Sequence, residues 1–242
     1  MDYRTEELRE SLRPLYAELI KSVSVFDYVK AFFCMQWGKR FPFENKHGLL
    51  FVGRATNGWD SWTNDEITLD GVFDCIFNKS DQMQWVENLE GNDNGYNTNK
   101  SAFWRVVKQI TQHYHPTNWS SFIAWSNICK VAPGEGNPSD SLYETQIEIC
   151  QQILKAEINV LSPKVVIFLT GKNWAGSTLR YLNHNESTKS IKKRSWGDFE
   201  CKVFEIDGVF YLLSEHPQGK PEVEHVQCVI DLLKDLGCED SM

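Results

Sequence analysis

The chain has 242 residues, 41% of them apolar, and a formal net charge of −8. That length supports one substantial core, and the acidic balance excludes a protein that coats nucleic acid with its whole surface, which needs clustered Lys and Arg to neutralise phosphates. No run reaches the roughly 18 apolar residues of a membrane span, and the charged start MDYRTEELRE does not read as a secretory signal, so a cytoplasmic protein with no membrane contact is expected.

In chain order, apolar positions at helical spacing run from residue 5 to 36: Leu8, Leu12, Leu15, Leu19 and Ile20, then Val25, Val29, Phe32 and Phe33. The spacing predicts two N-terminal helices, with residues 1–47 a helical extension of the single domain expected over 1–242. Leu49 to Val52 (LLFV) is a short β-rich run and reads as a buried strand. Residues 78–100, rich in Asn, Asp and Gly, have the composition of a long surface loop. Ser101 then caps a helix whose apolar face is Phe103, Val106, Val107 and Ile110.

Phe122 to Trp125 (FIAW) is the second strand candidate. Ser141 with Glu144 fits a capping box, and Tyr143, Ile147, Cys150, Leu154, Ile158 and Leu161 carry a helix that stops before Ser162-Pro163. Val165 to Leu169 (VVIFL) is the third strand, followed by a helix over Asn173 to Leu182. Lys189, Lys192, Lys193 and Arg194 form a basic cluster in an expected loop, which reads either as a local basic groove or, taken alone, as a solvated charge run. A hairpin turning at Asp207-Gly208 feeds the fourth strand, Val209 to Leu213 (VFYLL), before a C-terminal helix marked by Val223, Val226, Ile230, Leu233 and Leu236.

Strands alternating with helices predict a parallel sheet with right-handed crossovers, here a three-layer α/β/α sandwich around a mostly parallel, four-stranded sheet. Each strand is followed by a polar loop: GRATNGW from Gly53, SNICK from Ser126, TGKNW from Thr170 and SEHPQG from Ser214. Open α/β sheets bind ligands outside the carboxyl ends of their strands, so these loops are where a site is expected.

Asn127 offers a donor and an acceptor in one plane, the pairing that reads the edge of a base such as uracil; an Asx turn closing the loop is the alternative. His216 precedes Pro217, which fixes the local backbone and aims the imidazole either towards a developing anion or into a purely structural bond. Thr56, Asn57 and Asp60 are candidates to hold a water, and Arg54 to meet a phosphate. Their loop matches neither a P-loop nor the dinucleotide fingerprint, and no nucleophile elbow is present. His113-x-His115 has no Cys or carboxylate at ligand spacing, so no metal is predicted. Seven cysteines, at 34, 75, 129, 150, 201, 228 and 238, form no Cys-x-x-Cys pair and read as free buried thiols. The nine tryptophans are mostly core or loop anchors, although one or two offer a flat face on which a base could stack.

At these residues the chain resembles the uracil-DNA glycosylase superfamily. WSNICKVAPGEGNPSDSLYETQIEICQQILKAEINVLSPKVVIFLTG is similar to the family's strand ending in a base-reading Asn, then Lys and Pro-Gly-Asn-Pro, a helix, and a strand opened by Ser-Pro-Lys. LLFVGRATNGWD stands where the water-activating motif belongs and SEHPQG where the family has His-Pro-Ser, with order and spacing agreeing over roughly residues 48–235.

The resemblance implies a DNA glycosylase that hydrolyses the N-glycosidic bond of uracil or another modified base, flipped out of single- or double-stranded DNA into a pocket at the sheet edge. It assigns base binding to Gly53, Trp59 and Asn127, and catalysis to Asn57, Asp60 and His216. Contacts to the DNA backbone fall to Arg54, Lys130, Lys172 and Gln218. A monomer without cofactor is expected. The chain departs from the family in having Arg54, Ala55, Thr56 and Asn57 where strongly active members often carry Asp or Glu, in Gln218 replacing Ser, and in the acidic KPEVE that follows. The cysteine pairs of iron–sulfur branches are missing, so no cluster is expected. The other reading is a catalytically inactive module on the same fold that binds DNA, a nucleotide or a protein.

Overall fold

The computed structural model describes residues 3–41, 48–56, 59, 61–77, 81–88 and 97–238. It divides into two compact units: Met1–Gln36, Gly53–Ser80 and Ser126–Ser162 form the first, and Trp37–Val52, Asp81–Trp125 and Pro163–Met242 the second.

In the first unit, helix α1 (Tyr3–Val23) buries Leu8, Leu12, Tyr16, Leu19 and Val23, a stripe at three- and four-residue steps that packs on the long helix described below. The chain then turns into strand β1 (Lys30–Phe32) rather than a second helix. Val25 and Val29 are exposed, while Ala31, Phe32 and Phe33 are buried. The helical spacing of this stretch is overridden by pairing across long range, which also corrects the expected all-helical extension. Strand β2 (Gln36–Trp37) and strand β3 (Leu49–Gly53) follow, then strand β4 (Ser61–Trp62) and helix α2 (Leu69–Phe77). Lys30 lies opposite Trp62 on one side and Pro133 on the other, so β1 is the centre of a small antiparallel sheet.

Helix α3 (Ala102–Tyr114) starts where predicted: the Ser101 hydroxyl accepts from the amide of Trp104. Within the former loop region, residues 84–87 and 98–100 make single helical turns. Strand β5 (Ile123–Asn127) and strand β6 (Val131–Pro133) lead into helix α4 (Asp140–Leu161). Its cap is Ser139, not Ser141: Ser139 keeps extended backbone, φ −63° and ψ 162°, and accepts from the amide of Leu142, while Ser141 already lies in the first turn. The helix ends at Leu161, before Ser162-Pro163, as predicted.

Strand β7 (Val165–Leu169), helix α5 (Lys172–Leu182), strand β8 (Lys192–Trp196), strand β9 (Phe199–Ile206), strand β10 (Val209–Ser214) and helix α6 (Glu222–Asp235) complete the chain. The main sheet has seven strands rather than four, in the order β2-β5-β3-β7-β10-β9-β8. Its centre is parallel: Leu49 pairs with Val165 and Phe210 with Val165, in register through to the strand ends. All five residues of β7 are fully buried, as expected of a parallel strand covered on both faces.

The strands absent from the sequence reading are short or charged. β2 has two residues, and β8 alternates partly buried Lys192 and Arg194 with exposed Lys193 and Ser195 before ending on buried Trp196. The basic cluster therefore lies partly on a strand, and two of its charges are paired with acids. Arg194 meets Asp231 at 2.8 Å and Asp235 at 3.2 Å, and Lys193 reaches Glu200 at 3.7 Å. The hairpin turn is at Asp207 and Gly208, with φ 49° and 79°, a pair of left-handed residues that fits the twist of the strands β9 and β10. No helix among the described residues is long and apolar enough to cross a membrane.

Candidate functional site

In the first unit, the ends of β3 and β5 are laced by backbone bonds: Ile128 donates to the carbonyl of Gly53 and Cys129 to that of Arg54, both at 2.9 Å. Gly53 is buried and Arg54 half-buried. Thr56 is buried, and its hydroxyl has no partner among the described residues. Asn57 and Asp60 lie outside the described residues. Trp59 is half-buried, with its ring edge-on to Phe33 at 5.7 Å.

Asn127 ends β5 and is 1% exposed, and its Nδ2 makes no hydrogen bond to any of the described residues. Buried amides are almost always paired, so an unmet donor of this kind is a group waiting for a partner. An Asx turn would need the Asn127 side-chain oxygen to accept from the amide of Cys129, and that amide donates to Arg54 instead. What holds this segment in place lies directly beside it. Ser126 donates to Glu157 Oε2 at 2.6 Å, and Lys130 Nζ reaches the same oxygen at 2.9 Å and Ser126 Oγ at 2.6 Å. All three side chains are fully buried. Burial pushes the Glu157 carboxyl above its usual range, opposed by Lys130 and Ser126. On α4, the Gln146 amide brackets Val131, accepting from its N–H at 2.9 Å and donating to its carbonyl at 2.8 Å.

Lys130 is therefore not a surface cation for a phosphate. It is the inner half of an ion pair, which corrects its expected place on the DNA backbone. Glu157 went unread in the sequence although a signal existed: it falls on the buried stripe of α4, three residues after Leu154 and four before Leu161, where an acid needs a reason.

In the second unit, β7 and β10 end side by side, and the amide of Gly171 donates to the carbonyl of Ser214 at 2.9 Å. Gly171 has φ 82° and opens α5, whose first residue, Lys172, is exposed. His216 is half-buried. Its Nδ1 accepts from the backbone N–H of Gln218 at 3.3 Å, and Lys220 Nζ donates to its carbonyl at 3.0 Å. A neutral His216 accepting at Nδ1 carries its proton on Nε2. Gln218 itself is exposed.

Behind this turn sits a histidine the sequence reading passed over. His225 on α6 is fully buried, stacks on Trp196 at 4.1 Å, and its Nε2 lies 2.6 Å from Ser214 Oγ. Burial, with Lys220 and His216 nearby, lowers its pKa to about 4, so it is neutral at physiological pH. His113 and His115 do not form a pair: His113 is exposed at the end of α3, and His115 stacks on Phe122 at 3.8 Å. Among the described residues no group of three or more His, Cys, Asp or Glu is arranged to hold a metal ion.

Residues 38–221 match the family model for the uracil DNA glycosylase superfamily, and the chain belongs to that superfamily. A comparison with curated proteins finds no match.

Proposed function

We propose that this protein is a DNA glycosylase that removes uracil or another modified base by hydrolysing its N-glycosidic bond. The observation that carries the reading is the Asn127 amide, buried at the end of β5 with Nδ2 unpaired, inside the stretch that matches the superfamily. A planar amide in that state suits the edge of a flipped base, whose carbonyl would accept from Nδ2.

His216 is assigned to the leaving group. With Nδ1 accepting from Gln218, a neutral ring presents Nε2–H as the donor to the pyrimidine oxygen on which negative charge develops as the bond to C1′ breaks. The attacking water falls to the first loop, where Asn57 and Asp60 are the proposed holders and the unpaired Thr56 hydroxyl supplies a further polar contact. Trp59 gives a face on which the base stacks. Arg54, Lys172 and Gln218 are proposed to meet the DNA backbone, with Gly53 allowing close approach of the chain to the base.

The test is release of free base from labelled oligonucleotides, single- and double-stranded, each carrying one uracil, hypoxanthine or bulky modified pyrimidine. Release by wild type that Asn127→Ala and His216→Ala both abolish supports the assignment and names the base. No release from any substrate, with DNA binding retained, overturns it in favour of a binding module.

A further inference from the structure

We propose that Cys201 and Cys228 form a redox site, a dithiol that peroxide converts into a disulfide tying β9 to α6. The inference does not depend on the proposed glycosylase activity.

The geometry is local to the second unit. Cys201 lies on β9 directly opposite Arg194 of β8, and Cys228 of α6 reaches the carbonyl of that same Arg194 from Sγ at 3.6 Å. Each thiol is the strongest influence on the other's acidity, and Cys201 is linked to α6 through Ser214 and His225, one turn before Cys228. Both are reduced and buried. Two thiols brought to one seam between a strand and a helix meet the first requirement of a disulfide, proximity.

The pair is also chemically asymmetric. The neighbouring Cys201, with Arg194 nearby, holds the Cys228 thiol below its ordinary value, while Cys228 and burial push Cys201 up. Cys129, Cys150 and Cys238 are all raised by burial. Cys228 is thus the nucleophile and Cys201 the resolving thiol. The Cys228 thiolate attacks one oxygen of hydrogen peroxide, giving a sulfenic acid and hydroxide. Cys201 then attacks that sulfur, the S–O bond breaks, and water leaves with the thiol proton. Overall two thiols and one peroxide give one disulfide and two waters.

The switch has a reader. Cys201 Sγ donates to Ser214 Oγ at 3.0 Å, and Ser214 in turn pairs with His225. Oxidation withdraws that S–H donor from the end of β10, two residues before His216.

The experiment treats the reduced full-length protein with hydrogen peroxide, alkylates the remaining thiols and maps peptides by mass spectrometry. The expected result is a dithiothreitol-reversible link between the peptides holding Cys201 and Cys228, with five of the seven cysteines still alkylated. The oxidised form should have a higher thermal midpoint, because the link constrains the unfolded chain. Cys228→Ser should abolish the link, and Cys201→Ser should leave Cys228 to over-oxidise to the sulfinic acid. The wild-type map decides the matter alone if either variant does not fold. A link between other cysteines, sulfinic acid on wild-type Cys228, or seven unmodified thiols would overturn the proposal.

Discussion

Replacing Lys130 by Met is the sharpest test of how the Asn127 segment is held. In the wild type, Glu157 Oε2 accepts from Lys130 at 2.9 Å and from Ser126 at 2.6 Å, while Oε1 has no partner, and both charged side chains are fully buried. Removing the ammonium leaves a buried carboxylate with one neutral donor. Breaking such a pair from one side costs about 3–5 kcal/mol, since the desolvation of the remaining charge is no longer offset. In a protein of this size that lowers the thermal midpoint by roughly 10 °C. The double variant Lys130→Met/Glu157→Leu removes both charges and should recover most of the loss, because an apolar replacement of a buried pair is often neutral.

The pH dependence has a definite sign. Burial already raises the folded pKa of Glu157, and loss of Lys130 raises it further. The folded state then binds a proton that the unfolded state releases, so the variant is closest to wild type in acid and falls behind as pH rises through the folded pKa. Urea unfolding of the wild type, the two single variants and the double variant at neutral and acidic pH measures this. A Lys130→Met protein within about 1 kcal/mol of wild type at neutral pH would refute the reasoning, as the pair would then be worth no more than a surface contact.

Other outcomes follow from single contacts. Asn127→Ala should unfold within about 1 kcal/mol of wild type, because Nδ2 has no bond to lose, while base release disappears; a large stability loss would mean the amide has a structural partner. Gly38→Ala should cost about 3 kcal/mol or prevent folding, since a Cβ there would lie 2.3 Å from the backbone of Ser120 and Ser121; circular dichroism melting checks it. His225, neutral in the fold down to about pH 4 and protonated near pH 6.5 when unfolded, contributes stability that is complete above the unfolded value and lost as pH falls towards the folded one. Its share of the loss between neutral pH and pH 5 is about 2 kcal/mol, and His225→Phe should flatten that slope in urea melts.

The chain's local chemistry fixes a good deal by itself. Apolar runs of four or five β-rich residues locate β3, β5, β7 and β10, the Ser101 cap starts α3, Pro163 stops α4, and Asp207-Gly208 sets the hairpin. The positions of Asn127 and His216 at strand ends were legible for the same reason: Asn127 ends β5, and His216 follows the end of β10 by two residues. What neighbouring residues do not encode is pairing at a distance. β1 has helical spacing, yet pairs with Trp62 and Pro133; β8 looks like a charged loop until β9 lies beside it. Lys130 reads as a surface cation until α4 brings Glu157 against it from 27 residues away, and His225 reads as one more helix residue until it meets Ser214. Periodicity and turn chemistry act over a few residues and are written in order along the chain. The partner of a buried charge depends on which elements the core brings together, and only the tertiary structure decides that.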